Sequence, residues 1–364
     1  MKALPLLTRV LRDPPAMAGL DAPGWELLLR QAGGAGMGAT LALLAEDYGL
    51  LHALPPQVQR RLGWSRTVWE RHTQAVRFEV GQVRRALQST NLPLLLLKGT
   101  AYVVAGLPTA AGRLFSDIDI LVPKTALDEV ESRLMLHGWE SGHHDPYDQR
   151  YYREWMHELP PMQHLRRATA IDVHHAILPE TARVRPDPAL LRAAARPVAG
   201  SDGLFVLAPC DMVLHSAAHL FSEGEYDHGL RDLFDLHRLL CHFGAHEPGF
   251  WATLPLRARE LELTRPLFYA LRYCIELLGT PVPAATSAAA EGGRPPAGLL
   301  ALMDALFGAA LRPTHPSCAD LLSPLAAGLL FIRGNWLRMP PLLLARHLFH
   351  KAFLTPGNVN SNQV

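Results

Sequence analysis

Asp117 and Asp119 stand two apart in the segment Arg113-Leu-Phe-Ser-Asp-Ile-Asp-Ile-Leu-Val122. Strand side chains alternate between faces, so on a strand both carboxylates project the same way. Two like charges that close are unfavourable unless a cation or donor compensates them. Mg2+, with Mn2+ as its substitute, is the natural compensator. It takes oxygen ligands and is commonly held by one or two carboxylates plus substrate phosphates. Asp172 and His174 repeat the spacing in Ile171-Asp-Val-His174. If that segment is a strand beside the first, Asp172 supplies a third carboxylate. Three carboxylates can hold two metals about 3.5–4 Å apart, which stabilise the attacking and leaving oxygens of an in-line displacement. His174 shares the face of Asp172, where it binds substrate, orients a carboxylate or is simply a satisfied strand histidine.

Phosphates need a cradle as well as a metal. Gly99 follows the apolar run Leu94-Leu-Leu-Leu97 and lets backbone approach a ligand closely. Thr100 adds a hydroxyl, and the start of a short helix adds N–H groups suited to an anion. Lys98 and Arg113 carry charge that can neutralise phosphate. Each piece also has a plain structural reading. Asp-x-Asp can be a solvated strand face, Gly99 a strand end, and Arg113 a bridge to Asp117. The specificity lies in the order: strand, Gly-Thr, helix, Asp-x-Asp strand, then a strand with another Asp.

The elements that must position these residues follow from periodicity. Residues 24–46 read as a Leu- and Ala-rich helix. Residues 57–90 read as a long amphipathic one, with Val58, Leu62, Trp69, Val76, Val83 and Leu87 at helical spacing. The run 94–97 reads as a buried strand, 101–106 as a short helix, 117–122 as a second strand and 124–137 as a helix ended by Gly138. Tyr147–Tyr152, Met162–Leu165 and Ile171–His174 are further strand candidates. From Asp187 onward nearly everything reads as helix. Pro281–Ala297, rich in Pro, Ala and Gly, reads as a linker or long loop. Two helical segments follow, near 298–311 and 319–354. The fold class expected is α+β: a small mixed sheet in residues 91–180, flanked by helical regions at 1–90, 181–280 and 298–364.

Composition narrows the function classes. A formal charge of +1 over 364 residues provides no broad basic field for extensive nucleic-acid binding. Cys210, Cys241, Cys274 and Cys318 lie far apart and form no CxxC pair, which argues against a disulfide framework or a zinc knuckle. The N-terminus is too short and too broken for a secretory signal, and no stretch approaches the ~18–20 apolar residues of a transmembrane span. A cytoplasmic protein is expected.

The order of motifs resembles the nucleotidyltransferase superfamily that includes DNA polymerase β. There, a Gly-Ser turn precedes an Asp-x-Asp strand and a third Asp lies on a later strand. More closely, the chain resembles the bacterial uncharacterised nucleotidyltransferase family, in the branch found near exosortase or peptide-biosynthesis genes. The matching pieces are Leu97-Lys98-Gly99, Arg113, Ser116-Asp117-Ile118-Asp119-Ile120-Leu121-Val122, Ile171-Asp172-Val173-His174, Asp211, His215, His219 and Arg231-Asp232-Leu233 with Asp235. Arg338-Met-Pro-Pro341 resembles the exosortase-linked branch. The resemblance implies nucleotidyl transfer from an NTP, such as ATP, to a small-molecule or peptide acceptor. It makes Asp117, Asp119 and Asp172 catalytic metal ligands, with Asp172 orienting or deprotonating the acceptor hydroxyl. It gives Gly99 and Thr100 to the triphosphate, and Lys98, Arg113, Ser116 and His174 complete the expected nucleotide-binding set. Thr100 departs from the usual Ser, and the gap from Gly99 to Asp117 is longer than in minimal members.

Competing readings remain open. One is a catalytically silent nucleotide-binding module serving a biosynthetic partner. Another is a toxin-like transferase that modifies tRNA, which the near-neutral charge disfavours. A third is a metallohydrolase built on His215 and His219, four apart on one helix face, with His174, His237 or Asp232. Residues 325–354 mix Leu, Phe and Trp336 with Arg333, Arg338, Arg346 and Lys351. They read as a helix covering the core, or as a peripheral contact with a membrane or partner.

Overall fold

A computed structural model of the protein describes residues 4–142 and 145–346. The three buried leucines of β1 (Leu94–Leu96) form an inner strand, as a continuous apolar run should. The other strands are β2 (Asp117–Leu121), β3 (Trp139–Ser141), β4 (Met162–His164), β5 (Ala170–His174), β6 (Arg196–Pro197) and β7 (Leu204–Val206). They make one seven-stranded sheet in the order β3-β4-β5-β2-β1-β7-β6. β1 runs antiparallel to β2 and parallel to β7, while β2 and β5 are parallel. The remaining pairs are antiparallel, so the sheet is mixed and the class is α+β.

Helices surround this sheet. On the N-terminal side lie α1 (Leu6–Arg12), α2 (Ala22–Gly34), α3 (Gly38–Asp47) and the 32-residue α4 (Pro56–Leu87). The short α5 (Lys98–Val104) connects β1 towards β2, and α6 (Leu127–Leu136) connects β2 to β3. α4 packs on α5, α6 and β2. After α7 (Pro146–Arg150) and α8 (Pro188–Ala193) come α9 (Pro209–Ser222), α10 (Gly229–His246), α11 (Phe250–Glu260) and α12 (Thr264–Leu278). These four bury a shared core that includes Leu214, Leu233, Leu254 and Tyr269. Asp211 on α9 is clamped by both arms of Arg257 on α11, at 2.6 and 2.8 Å. α13 (Ala284–Ala290), α14 (Ala297–Ala310) and α15 (Ser323–Arg338) complete the described chain, which turns helical again at 341–346. α1 closes against α12, so the N-terminal region packs on the C-terminal helices.

Four expectations need correction. The helix expected over 24–46 is two helices, broken at 35–37. Tyr147–Tyr152 is not a strand but helix α7 leading into a π turn at Tyr151–Trp155. Tyr147, Tyr151 and Trp155 recur every four residues, and this helical spacing overrides their strand propensity. The region after Asp187 contains the β6–β7 hairpin, whose strands are too short to show alternation. The stretch 281–297 is not a free linker. Its alanines form α13, and Thr286 and Ala290 are buried there. All four cysteines are free. The expected helix and contact segment beyond residue 346 lies outside the described residues.

Candidate active site

Alternation along β2 buries Ile118 and Ile120 on one face and leaves Asp117 and Asp119 on the other. The parallel register sets Asp119 directly beside Asp172 on β5, and Leu121 beside His174. The ladder continues one residue further through Val122 N–H to the His174 carbonyl, 2.9 Å. Asp172 and His174 therefore share the face of the two β2 carboxylates.

At the end of β1, the Leu97 N–H donates to the Asp119 carbonyl at 3.0 Å. This brings Lys98 to Asp119, Nζ to Oδ1 at 3.1 Å. Lys98 holds φ at 45°, in the left-handed region that costs a lysine about 1–3 kcal/mol. Gly99 follows. A Cβ there would lie 2.6 Å from the Phe115 ring. Any side chain at this position must displace the Phe115 ring that crosses it. Thr100 is wholly buried, its hydroxyl has no partner among the described residues, and it does not line the cavity described below.

Asp119 is 2 % exposed and has two donors: Lys98, and His174 Nε2 at 2.9 Å. Burial opposes its charge, but Lys98 and His174 outweigh it and hold the carboxyl below the usual range. Asp172 goes the other way. Burial, then the nearby charges of Asp119 and Glu158, push it up to about 7. His174 Nδ1 lies 3.2 Å from Glu158 Oε2, so both ring nitrogens face carboxylates. Burial works against the imidazolium, yet these acids raise its pKa. Glu158 had no local sequence signal. A single antiparallel bridge to His174 brings it in.

A cavity of about 500 Å3 opens over Lys98, Gly99, Arg113, Ser116, Asp117 and Asp119, with Tyr102, Phe115, His219, Arg231, Asp232 and Asp235 completing most of the wall. Arg113 does not pair with Asp117. It reaches Asp235 in a close ion pair and Asp232 at 3.2 Å, both on α10. The preceding Gly112 holds φ at 79° and packs against α3, where a Cβ would meet the Thr40 backbone at 2.3 Å. Burial disfavours the guanidinium, but the two acids hold it charged. Arg231 donates to the Leu114 carbonyl at 3.2 Å and to Asp232 at 3.0 Å, so α10 grips the loop that leads into β2.

Candidate ligand atoms converge in two sets, Asp119 with Asp172 and His174, and His157 with Glu158 and His174. Within each, the atoms lie within 4.8 Å of one another. Asp117 falls outside both; it lines the cavity with Asp119, whereas Asp172 and His174 lie outside the cavity wall. Among the described residues His215 and His219 join no such set. His219 instead meets Glu223 at 3.0 Å, and His237 meets the Thr280 hydroxyl at 2.8 Å.

The profile of the family described as "Uncharacterised nucleotidyltransferase" matches residues 21–279, well over half of the chain. The chain belongs to the uncharacterised nucleotidyltransferase family. Comparison with curated proteins and with solved structures gave no match. The nucleotidyltransferase match spans every residue of the acidic cavity and ends just after α12. Among the described residues no helix is long and apolar enough to cross a membrane.

Proposed function

We propose that the protein is a divalent-metal-dependent nucleotidyltransferase, which moves a nucleoside monophosphate from an NTP to an acceptor oxygen and releases pyrophosphate. The observation that carries this reading is the lateral pairing of Asp119 with Asp172, with Asp117 two residues earlier on the same face. Family membership supports the reaction class.

Charge balance argues for the metal. The cavity wall carries Lys98, Arg113 and Arg231 against Asp117, Asp119, Asp232 and Asp235. Three cations, all engaged with carboxylates, cannot receive a triphosphate beside four acids. A hard cation fits the oxygen donors of Asp119 and Asp172, and Mg2+ or Mn2+ suits them better than a thiophilic metal. When bound, the metal supplies charge neutralisation at the phosphates. The chain's own residues do the rest. Asp119 and Asp172, with Asp117 on the same face, would hold the cation, Lys98 and Ser116 would flank the phosphates, and Gly99 keeps the wall open. Asp172, paired beside Asp119, would orient or take the proton of an acceptor hydroxyl. His174 steadies Asp119. Positioning and charge compensation account for most of the catalysis.

One observation favours a second reading, a nucleotide-binding module without turnover. Asp119 is already satisfied by Lys98 and His174, and a metal must compete with both. The deciding experiment incubates the protein with labelled NTPs, Mg2+ and cell extract. Pyrophosphate release is expected, and it is lost in the Asp117→Ala/Asp119→Ala variant. Release that persists in that variant sinks the proposed site, and no release with any acceptor favours the silent module.

A further inference from the structure

A second cavity, of about 510 Å3, opens between α9, α12, α14 and α15. Its wall is apolar, with Leu302, Met303, Leu306, Ile332 and Trp336 among the lining residues. Three of these remain in solvent: Leu302 is 48 % exposed, Ile332 63 % and Trp336 44 %. Large apolar side chains clustered in the open mark a binding surface. The volume falls in the range of small-molecule sites.

Four arginines reach the same cavity: Arg183, Arg265, Arg333 and Arg338. Among the described residues only Arg338 has a carboxylate partner, Glu223 at 3.7 Å. Arg183 lies over the Trp336 ring, 4.9 Å from its centroid. Arg333 donates to the Phe221 carbonyl at 2.7 Å. Arg265 keeps its Nε buried with no hydrogen-bond partner. An apolar wall with three guanidinium groups that pair with no acid among the described residues complements an amphiphile with an anionic head. Arginine's fork suits a phosphate in particular.

The cavity adjoins the carboxylate site. Arg338 contacts Glu223, Glu223 contacts His219 at 3.0 Å, and His219 lines the acidic cavity. One salt-bridged layer thus separates the two. The family match ends at residue 279, so the walls from α14 and α15 lie beyond it. Residues 347–364 contain His347, His350 and Lys351 and no Asp or Glu side chain.

We propose that this cavity binds a single-chain alkyl phosphate, with its hydrocarbon body on the apolar wall and its head among the arginines.

The test titrates dodecyl phosphate, below its micelle threshold, into the full chain without nucleotide and follows the heat of binding. Saturable binding is expected, weakened about tenfold or more in Arg183→Gln/Arg265→Gln and in Ile332→Glu. Circular dichroism checks that the variants remain folded, and Mg-ATP binding stays as in the parent. Equal binding of dodecyltrimethylammonium, or unchanged affinity in the variants, overturns the proposal. So does attachment to anionic vesicles without binding of the monomeric probe.

Discussion

Asp172→Asn is expected to make the metal-free protein more stable while destroying its metal site. The carboxyl is pushed from an ordinary 3.8 to about 7, by burial first and then by Asp119 and Glu158. Its folded value lies above its unfolded one. The stability that its proton contributes is therefore fully present below about pH 4 and is lost as pH rises through about 7. Asparagine stays neutral throughout, so the variant escapes that loss. From 3.8 to about 7, at about 1.36 kcal/mol per tenfold change in proton affinity, the advantage approaches an upper bound of about 4 kcal/mol above neutrality. Near pH 4 the two proteins converge. The assay is urea unfolding followed by circular dichroism, in chelator, at about pH 4.5 and about pH 8. Mg2+ titration runs in parallel and should show binding lost in the variant. A variant no more stable than the parent at the higher pH would refute the argument. It would mean that Asp172 is not an acid strained by its neighbours.

Two further outcomes follow from the ion pairs. Lys98→Met frees Asp119 of its ammonium partner, so Mg2+ alone binds more tightly by calorimetry while Mg-ATP binds more weakly. Equal losses for both would remove Lys98 from the phosphates. Arg113→Met leaves Asp235 and Asp232 without their shared cation, and should lower the unfolding free energy by about 3–5 kcal/mol. Addition of Asp235→Asn should recover part of that loss, and no recovery in urea midpoints would contradict the pairing.

The sequence made the acid-bearing strands legible because both follow period-two alternation: Ile118 and Ile120 inward with Asp117 and Asp119 opposite, and Ile171 and Val173 inward with Asp172 and His174 opposite. Their adjacency was only conditional there, since register is a long-range property, and the parallel pairing supplies it. Arg113 shows the same limit. Its type suggested an anion partner, but the partners lie more than 110 residues downstream on α10. Glu158 was invisible because one bridge, and no motif, delivers it. Gly99 was legible as a close approach, but towards the Phe115 ring. The β6–β7 hairpin escaped because two or three residues carry no period.

The position of β1 between β2 and β7 has a consequence for biosynthesis. Leu94 pairs with Leu204, so a central ladder of the sheet waits for chain made 110 residues later. Arg113 likewise stays uncompensated until Asp235 has emerged. At about 5–20 residues per second, that interval lasts roughly 5–20 s on the ribosome. During it, one edge of β1 lacks its partner and a charged loop has no counter-ion. The nascent N-terminal half is therefore a natural client for chaperones, and it is in this window, more than in the finished protein, that substitutions at 94–113 would lower the yield of folded chain.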